Sequence, residues 1–179
     1  MKRRTALWTP AALGLLARGA LGTLALDSAS AAPAQPGQPV QWPAVTSLLD
    51  GKALTATDLQ ARPAVVVFWT TTCPFCRRHN QHLEKLHRAA LAAGSPLRVL
   101  AVARERDAAT VRRYAQAQGY SFDITLEHLP MAAALTERKV IPLTVYVDRH
   151  GRLQQVLPGE MFEEDVMAFL PLAQKGARS

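Results

Sequence analysis

Six consecutive residues, Ala64 to Trp69 (AVVVFW), constrain the fold more than any other stretch. All are apolar, and the run is bounded by Pro63 and by the threonines at 70, 71 and 72. A strand sends alternate side chains to opposite faces, so an unbroken apolar run needs cover on both. A largely parallel sheet with helices on each side supplies that cover. Leu97 to Ala103 (LRVLAVA) repeats the pattern. Between the two runs, Pro74 stands where a first helical turn tolerates proline, and Leu83, Leu86, Ala90 and Leu91 recur at helical spacing up to Gly94. Asp107 to Gln118 reads as a further helix, stopped by Gly119. Strand, helix, strand and helix make a βαβ unit with a right-handed crossover.

The flanks extend this unit. Val45 to Leu48 reads as a short strand, Asp50-Gly51 as a turn, and Lys52 to Leu54 as the returning strand. Thr57 is placed to cap a short helix through Ala61. Beyond Gly119 come a loop around Phe122 to Leu129 and a helix from Met131 to Arg138. Leu143 to Val147 and Leu153 to Leu157 are two strands about a hairpin turn at Asp148 to Gly151. Glu160 to Leu170 is a closing helix, with Glu163, Glu164 and Asp165 near its positive end.

The N-terminus has the form of an export signal. Lys2-Arg3-Arg4 is basic, Thr5 to Ala17 is uncharged and mostly apolar, and Ala29-Ser30-Ala31 is a small-x-small cleavage site. Residues 1–31 are therefore expected to be a signal peptide. Arg18 argues against the rival, an uncleaved anchor from Thr5 to Leu26, because a mid-membrane charge costs about 2.5–3.5 kcal/mol. Residues 32–43, rich in Pro and Gln, read as a linker, and 44–175 as one domain. The expected location is the periplasm, where oxidising conditions permit disulfides. The formal charge is +7, of which +3 lies in residues 1–31. The remaining 17 basic and 13 acidic residues form no like-charge run and no aromatic-basic interleaving, so nucleic acid is not expected as a partner.

The only two cysteines, Cys73 and Cys76, sit in FWTTTCPFCRRHN. Cys73 falls at the junction of the central strand and a helix N-terminus, with Cys76 one turn inside. Unpaired N–H groups and a partial positive charge at a helix start stabilise a thiolate, and paired cysteines in this setting have pKa values lowered by about 1 to 5 units. Arg77 and Arg78 add positive charge. Cys73 then has the place of a nucleophile, and Cys76 that of the thiol that resolves a mixed disulfide. A purely structural disulfide would close a tiny loop and gain little. A metal site would have to recruit His79 and His82, but residues three apart on a helix drift by about 60° per step, so the four groups do not converge. Neither a metal nor a cofactor is expected.

These segments resemble the thioredoxin-like proteins, and among them the exported TlpA/ResA group of thiol-disulfide oxidoreductases, over about Ala44 to Leu172. LLDGKALTATDLQARPAVVVFW is similar to that group's lead-in hairpin and first core strand, CPFC to its active-site motif, and VIPLTVYVDRHG to the segment in which a cis-proline faces the cysteines. The resemblance implies an α/β thioredoxin-like fold: a central mixed sheet flanked by helices, with an N-terminal β-hairpin extension. It implies that Pro142 is cis and that Ile141 pairs by its backbone with an extended client, a mode of binding that tolerates many sequences. Its implied partners are proteins with cysteine pairs and a membrane or soluble thiol electron donor, with the protein itself a monomer. Three departures bear on direction. Thr72 replaces the group's usual Trp, His79 replaces a common Glu, and Pro74-Phe75 is closer to the dipeptides of glutaredoxins and DsbA-type oxidants. Membership favours a reductant of the kind that serves cytochrome c or copper-site maturation. A positive field, with His79 protonated beside the site, would favour the thiolate and an oxidant. A copper-handling or redox-inert binding module on the same fold is the alternative from another functional class. Trp69 is expected to pack in the core, His82 and His87 to be solvated, and Asp123 and Glu127 to lie on the surface rather than beside Cys76.

Overall fold

The computed structural model describes residues 32–60 and 62–175. The signal-peptide expectation falls on residues outside that range. No helix among the described residues is long and apolar enough to cross a membrane.

The chain begins with a two-stranded antiparallel hairpin, β1 (Val45–Thr46) and β2 (Ala53–Leu54). Next comes a one-turn helix, α1 (Ala56–Gln60). Its cap is Thr55 rather than Thr57: Thr55 Oγ1 accepts from the N–H of Asp58, whose carboxylate accepts in return from Thr55 N–H at 3.0 Å. β3 (Ala64–Trp69), α2 (Pro74–Ala92), β4 (Arg98–Ala103) and α3 (Ala108–Gln118) follow as the sequence leads one to expect. Asp107 caps α3 through Ala109 and Thr110, and Gly119 ends it in the left-handed region at φ 69°.

β5 (Asp123–Thr125) is a strand where a loop was expected. Its three residues are too few to show a period, and they become a strand by pairing in parallel with β4. α4 (His128–Leu135) starts three residues earlier than the apolar pattern indicates. β6 (Leu143–Val147) and β7 (Leu153–Pro158) form the hairpin. The closing helix is split into α5 (Glu163–Met167) and α6 (Phe169–Gln174). Pro171 has no N–H to offer the carbonyl of Met167, so the helix breaks there.

The five-stranded sheet has the order β5-β4-β3-β6-β7, with β3, β4 and β5 parallel and β6 and β7 antiparallel. It is the expected mixed sheet with its N-terminal hairpin. β3 lies at its centre, and the alternation of its side chains divides the core. Val65, Val67 and Trp69 face the layer formed by α2, α3, α5 and α6, whereas Ala64, Val66 and Phe68 face α1, α4 and the N-terminal segment. Every β3 residue is at most 1% exposed, the reason the run contains no polar residue.

The linker expected at 32–43 is instead docked on the domain. Ala34 N–H donates to Ala134 O, Gly37 N–H to Leu153 O and Val40 N–H to Gly151 O, and Pro39 bridges to Arg152. Val40 and Trp42 are buried in the second core layer. Proline-rich composition hid two apolar anchors. Trp42→Ala is expected to lower stability by about 3 kcal/mol, the low end for a buried tryptophan because its indole N–H already lacks a partner. Urea unfolding measures this, and an unchanged midpoint would mean that the segment is only a tether.

Candidate active site

Cys73 ends the turn that leaves β3 and is the N-cap of α2. Its backbone is extended, at φ −90° and ψ 111°, and its sulfur accepts from the N–H of Cys76 at 3.1 Å. Arg77 N–H closes the first helical bond onto Cys73 O at 3.1 Å. Pro74 occupies the first helical position, where the missing N–H costs nothing. Cys73 and Cys76 are joined in a disulfide with a Cα–Cα distance of 5.2 Å. Cys73 is partly exposed, whereas Cys76 is fully buried under its own helix. An incoming thiol or disulfide therefore meets Cys73 first.

The Phe68–Leu143 pairing brings the start of β6 alongside the end of β3, next to the cysteine turn. The Ile141–Pro142 peptide is cis. Pro142 is buried, and its carbonyl accepts from Gly159 N–H at 2.8 Å. Ile141 is half-buried and Val140 is 44% exposed, leaving an open edge before the proline.

His79 is neither solvated nor cationic. It is fully buried, and Met161 N–H donates to its Nδ1 at 3.2 Å. A backbone N–H can only donate, so the ring proton is on Nε2, which lies 3.0 Å from Thr144 Oγ1. Burial, with nearby His82 adding to it, pushes the His79 pKa down to about 4; Glu160 opposes this weakly. The ring is thus neutral and ties α2 both to β6, two residues past Pro142, and to the loop before α5. The sequence indicated the position of His79 but not its burial, because the apolar stripe of α2 stops short of it.

Two residues just after β4 went unnoticed in the sequence. Arg104 lays its guanidinium over the Phe68 ring at 5.3 Å and donates to Lys139 O at 2.5 Å and Arg138 O at 3.2 Å. Glu105, its neighbour, accepts from the N–H of Thr71. One dipeptide therefore holds the loop that enters Pro142 with one hand and the turn that enters Cys73 with the other. Alternating charge in "ARERD" carries no signal of this, since the partners are backbone groups distant in sequence.

Phe75 is 55% exposed beside Cys73, with the Arg78 guanidinium 5.0 Å from its ring. Glu160 holds that guanidinium in a fork of 2.7 and 2.6 Å, and the Arg78 bond keeps the Glu160 carboxyl below its usual range. The other weighed residues serve structure. Trp69 is buried against Tyr114 and Tyr120. His82 pairs with Glu163 at 3.5 Å. His87 packs its edge on Phe122 and is held below the usual histidine range by burial, so neither histidine is simply solvated. Asp123 pairs with Arg98 at 2.6 Å, at the opposite end of β4 from the cysteines, and Glu127 accepts from Thr125.

The family model for Redoxin matches residues 35–168. The chain belongs to the redoxin family. Its curated relatives include thiol-disulfide oxidoreductases named ResA. It is 28% identical over 129 residues to the thiol-disulfide oxidoreductase ResA of Halalkalibacterium halodurans, covering 72% of each chain. It is 20% identical over 130 residues to ResA of Bacillus subtilis, covering 73% of this chain and 72% of that one. Among solved structures, a secreted thiol-disulfide isomerase from Corynebacterium glutamicum superposes with a TM-score of 0.67 at 22% identity, over 75% of this chain and 85% of its own. A secreted Mycobacterium tuberculosis disulfide oxidoreductase gives 0.62 at 18%, over 73% and 95%. These structures share the redoxin fold seen here.

The buried histidine makes the redoxin domain acid-sensitive in a defined window. The folded pKa of His79, about 4, lies below its ordinary value of 6.5, so the unfolded chain binds the proton more tightly. The contribution of His79 to stability is intact above pH 6.5, falls by about 1.4 kcal/mol per pH unit as pH drops towards 4, and levels off below. His87 contributes in the same sense. His79→Leu is expected to remove most of the slope between pH 6.5 and 4 while lowering stability at pH 8. Urea midpoints of both proteins across that range test this, and parallel curves would contradict a buried neutral ring.

Proposed function

We propose that this protein acts outside the cytoplasm as a reductant of disulfides in client proteins, Cys73 attacking and Cys76 resolving. The Cys73 thiolate attacks a client disulfide, a mixed disulfide forms, and one client thiolate leaves and takes a proton. The Cys76 thiolate then attacks Cys73 Sγ, the second client thiol is released, and the Cys73–Cys76 disulfide remains. Two electrons pass to the client, and a membrane or soluble thiol donor restores the dithiol. The disulfide carries the electrons, so no cofactor is needed. Ile141 and Pro142 present the edge on which the client chain lies. Pro74, Phe75 and His79 tune the site, His79 through position rather than charge.

Thiol-disulfide exchange itself rests on the family and on the ResA relatives. The observation that carries the reading is the asymmetry of the pair: a partly exposed sulfur capping α2 and a buried partner one turn on. Direction is supported by electrostatics. Of the three basic residues that directly follow Cys76 in sequence, Arg78 is neutralised by Glu160 and His79 is uncharged, leaving Arg77. A weaker positive field stabilises the thiolate less, and a less stable thiolate makes a better reductant. A periplasmic location is supported by the signal-like N-terminus and by the secreted neighbours of the same fold.

The reduction potential of the couple tests direction. Equilibration with glutathione is expected to place it nearer to thioredoxin's, about −270 mV, than to DsbA's, about −120 mV. A potential at the DsbA end would make this protein an oxidant.

A further inference from the structure

The loop that enters Pro142 also forms one wall of a concavity of about 670 Å³. Thr136, Glu137, Arg138 and Lys139 line this wall, Ala132 and Ala133 of α4 the floor, and Leu129, 72% exposed, also lines it. The wall is rigid. Thr136 Oγ1 accepts from Arg138 N–H at 3.0 Å, and the Arg104 guanidinium holds the carbonyls of 138 and 139. Arg104 is thereby spent on backbone. The side chains of Arg138 and Lys139 are exposed and form no ion pair among the described residues. Glu137 is the only carboxylate in the lining. The concavity thus combines an apolar floor with a cationic rim, two residues from the Ile141 edge.

We propose that this concavity is a specificity subsite for client proteins, which takes an acidic residue within a few positions of the client's reactive cysteine. The proposal rests on the thiol-exchange reading and adds what the exchange site prefers. Charge complementarity selects the occupant. Residues 1–31 are read as a signal peptide that is removed, and a second copy of the remaining chain, with 17 basic and 13 acidic residues, has the same sign as the rim. An extended client laid on Ile141 would place its next residues against Val140, Lys139 and Arg138. Rim charges of this kind act mainly on the association rate and fade with salt.

Two synthetic peptides with an internal disulfide, alike except for Glu or Lys beside one cysteine, probe the subsite. The reduced full-length protein is expected to reduce the Glu peptide about fivefold faster at 20 mM salt, the size expected of an exposed ion pair, with the difference closing by 0.5 M salt. In the double variant Arg138→Glu, Lys139→Glu the preference is expected to vanish or reverse. A wild-type protein that treats both peptides alike, a preference that survives the double variant, or a variant that slows both peptides equally would overturn the subsite. Failure of the underlying reading differs: the wild type would then reduce neither peptide nor insulin.

Discussion

The N–H of Cys76 donates to the sulfur of Cys73 at 3.1 Å, so the nucleophile is also the cap of the helix that carries its partner. The rest of the site depends on this bond. A helix start has N–H groups with no backbone acceptor, and here sulfur takes the place usually held by a hydroxyl or carboxylate. In the reduced protein the same donor faces a thiolate, and hydrogen bonds to charged groups are roughly twice as strong as neutral ones. β3 delivers Cys73 to that position because its six residues are locked between two core layers. The turn at 70–73 cannot drift while Glu105 holds Thr71.

Around the cap, neutral polar contacts outnumber free charges. His79 fixes α2 against β6 and the Met161 loop without carrying a charge. Glu160 removes the charge of Arg78 from the cysteines while keeping that guanidinium against Phe75. Arg104 gives its charge to two carbonyls. The protein is basic overall, yet of the three basic residues that follow Cys76 only Arg77 keeps a free charge beside the helix start. Arg138 and Lys139 stand to one side, on the rim beside the Pro142 loop, where they bear on which client arrives rather than on the sulfur.

The sheet and its cysteine turn were legible because their signals are local. A doubly buried strand must be wholly apolar, and a proline after Cys73 marks a helix start. β5 was hidden because its identity comes from pairing with β4, and the docked segment at 34–42 because Val40 and Trp42 stand among prolines and glutamines. His79 illustrates the harder limit. Its place one turn after Cys76 was visible, but its charge state depends on burial by α5 and β6, elements far away in sequence. Arg104 and Glu105 bind backbone groups, which no side-chain pattern encodes.

The pH dependence of alkylation of the two thiols in the reduced protein, followed by mass spectrometry, tests the central claim most directly. The account predicts that Cys73 alone reacts with iodoacetamide under native conditions, with an apparent pKa below the value of about 8.5 for a free thiol. Cys76 is predicted to become reactive only on unfolding. Equal reaction of both cysteines, each titrating near that free-thiol value, would contradict it.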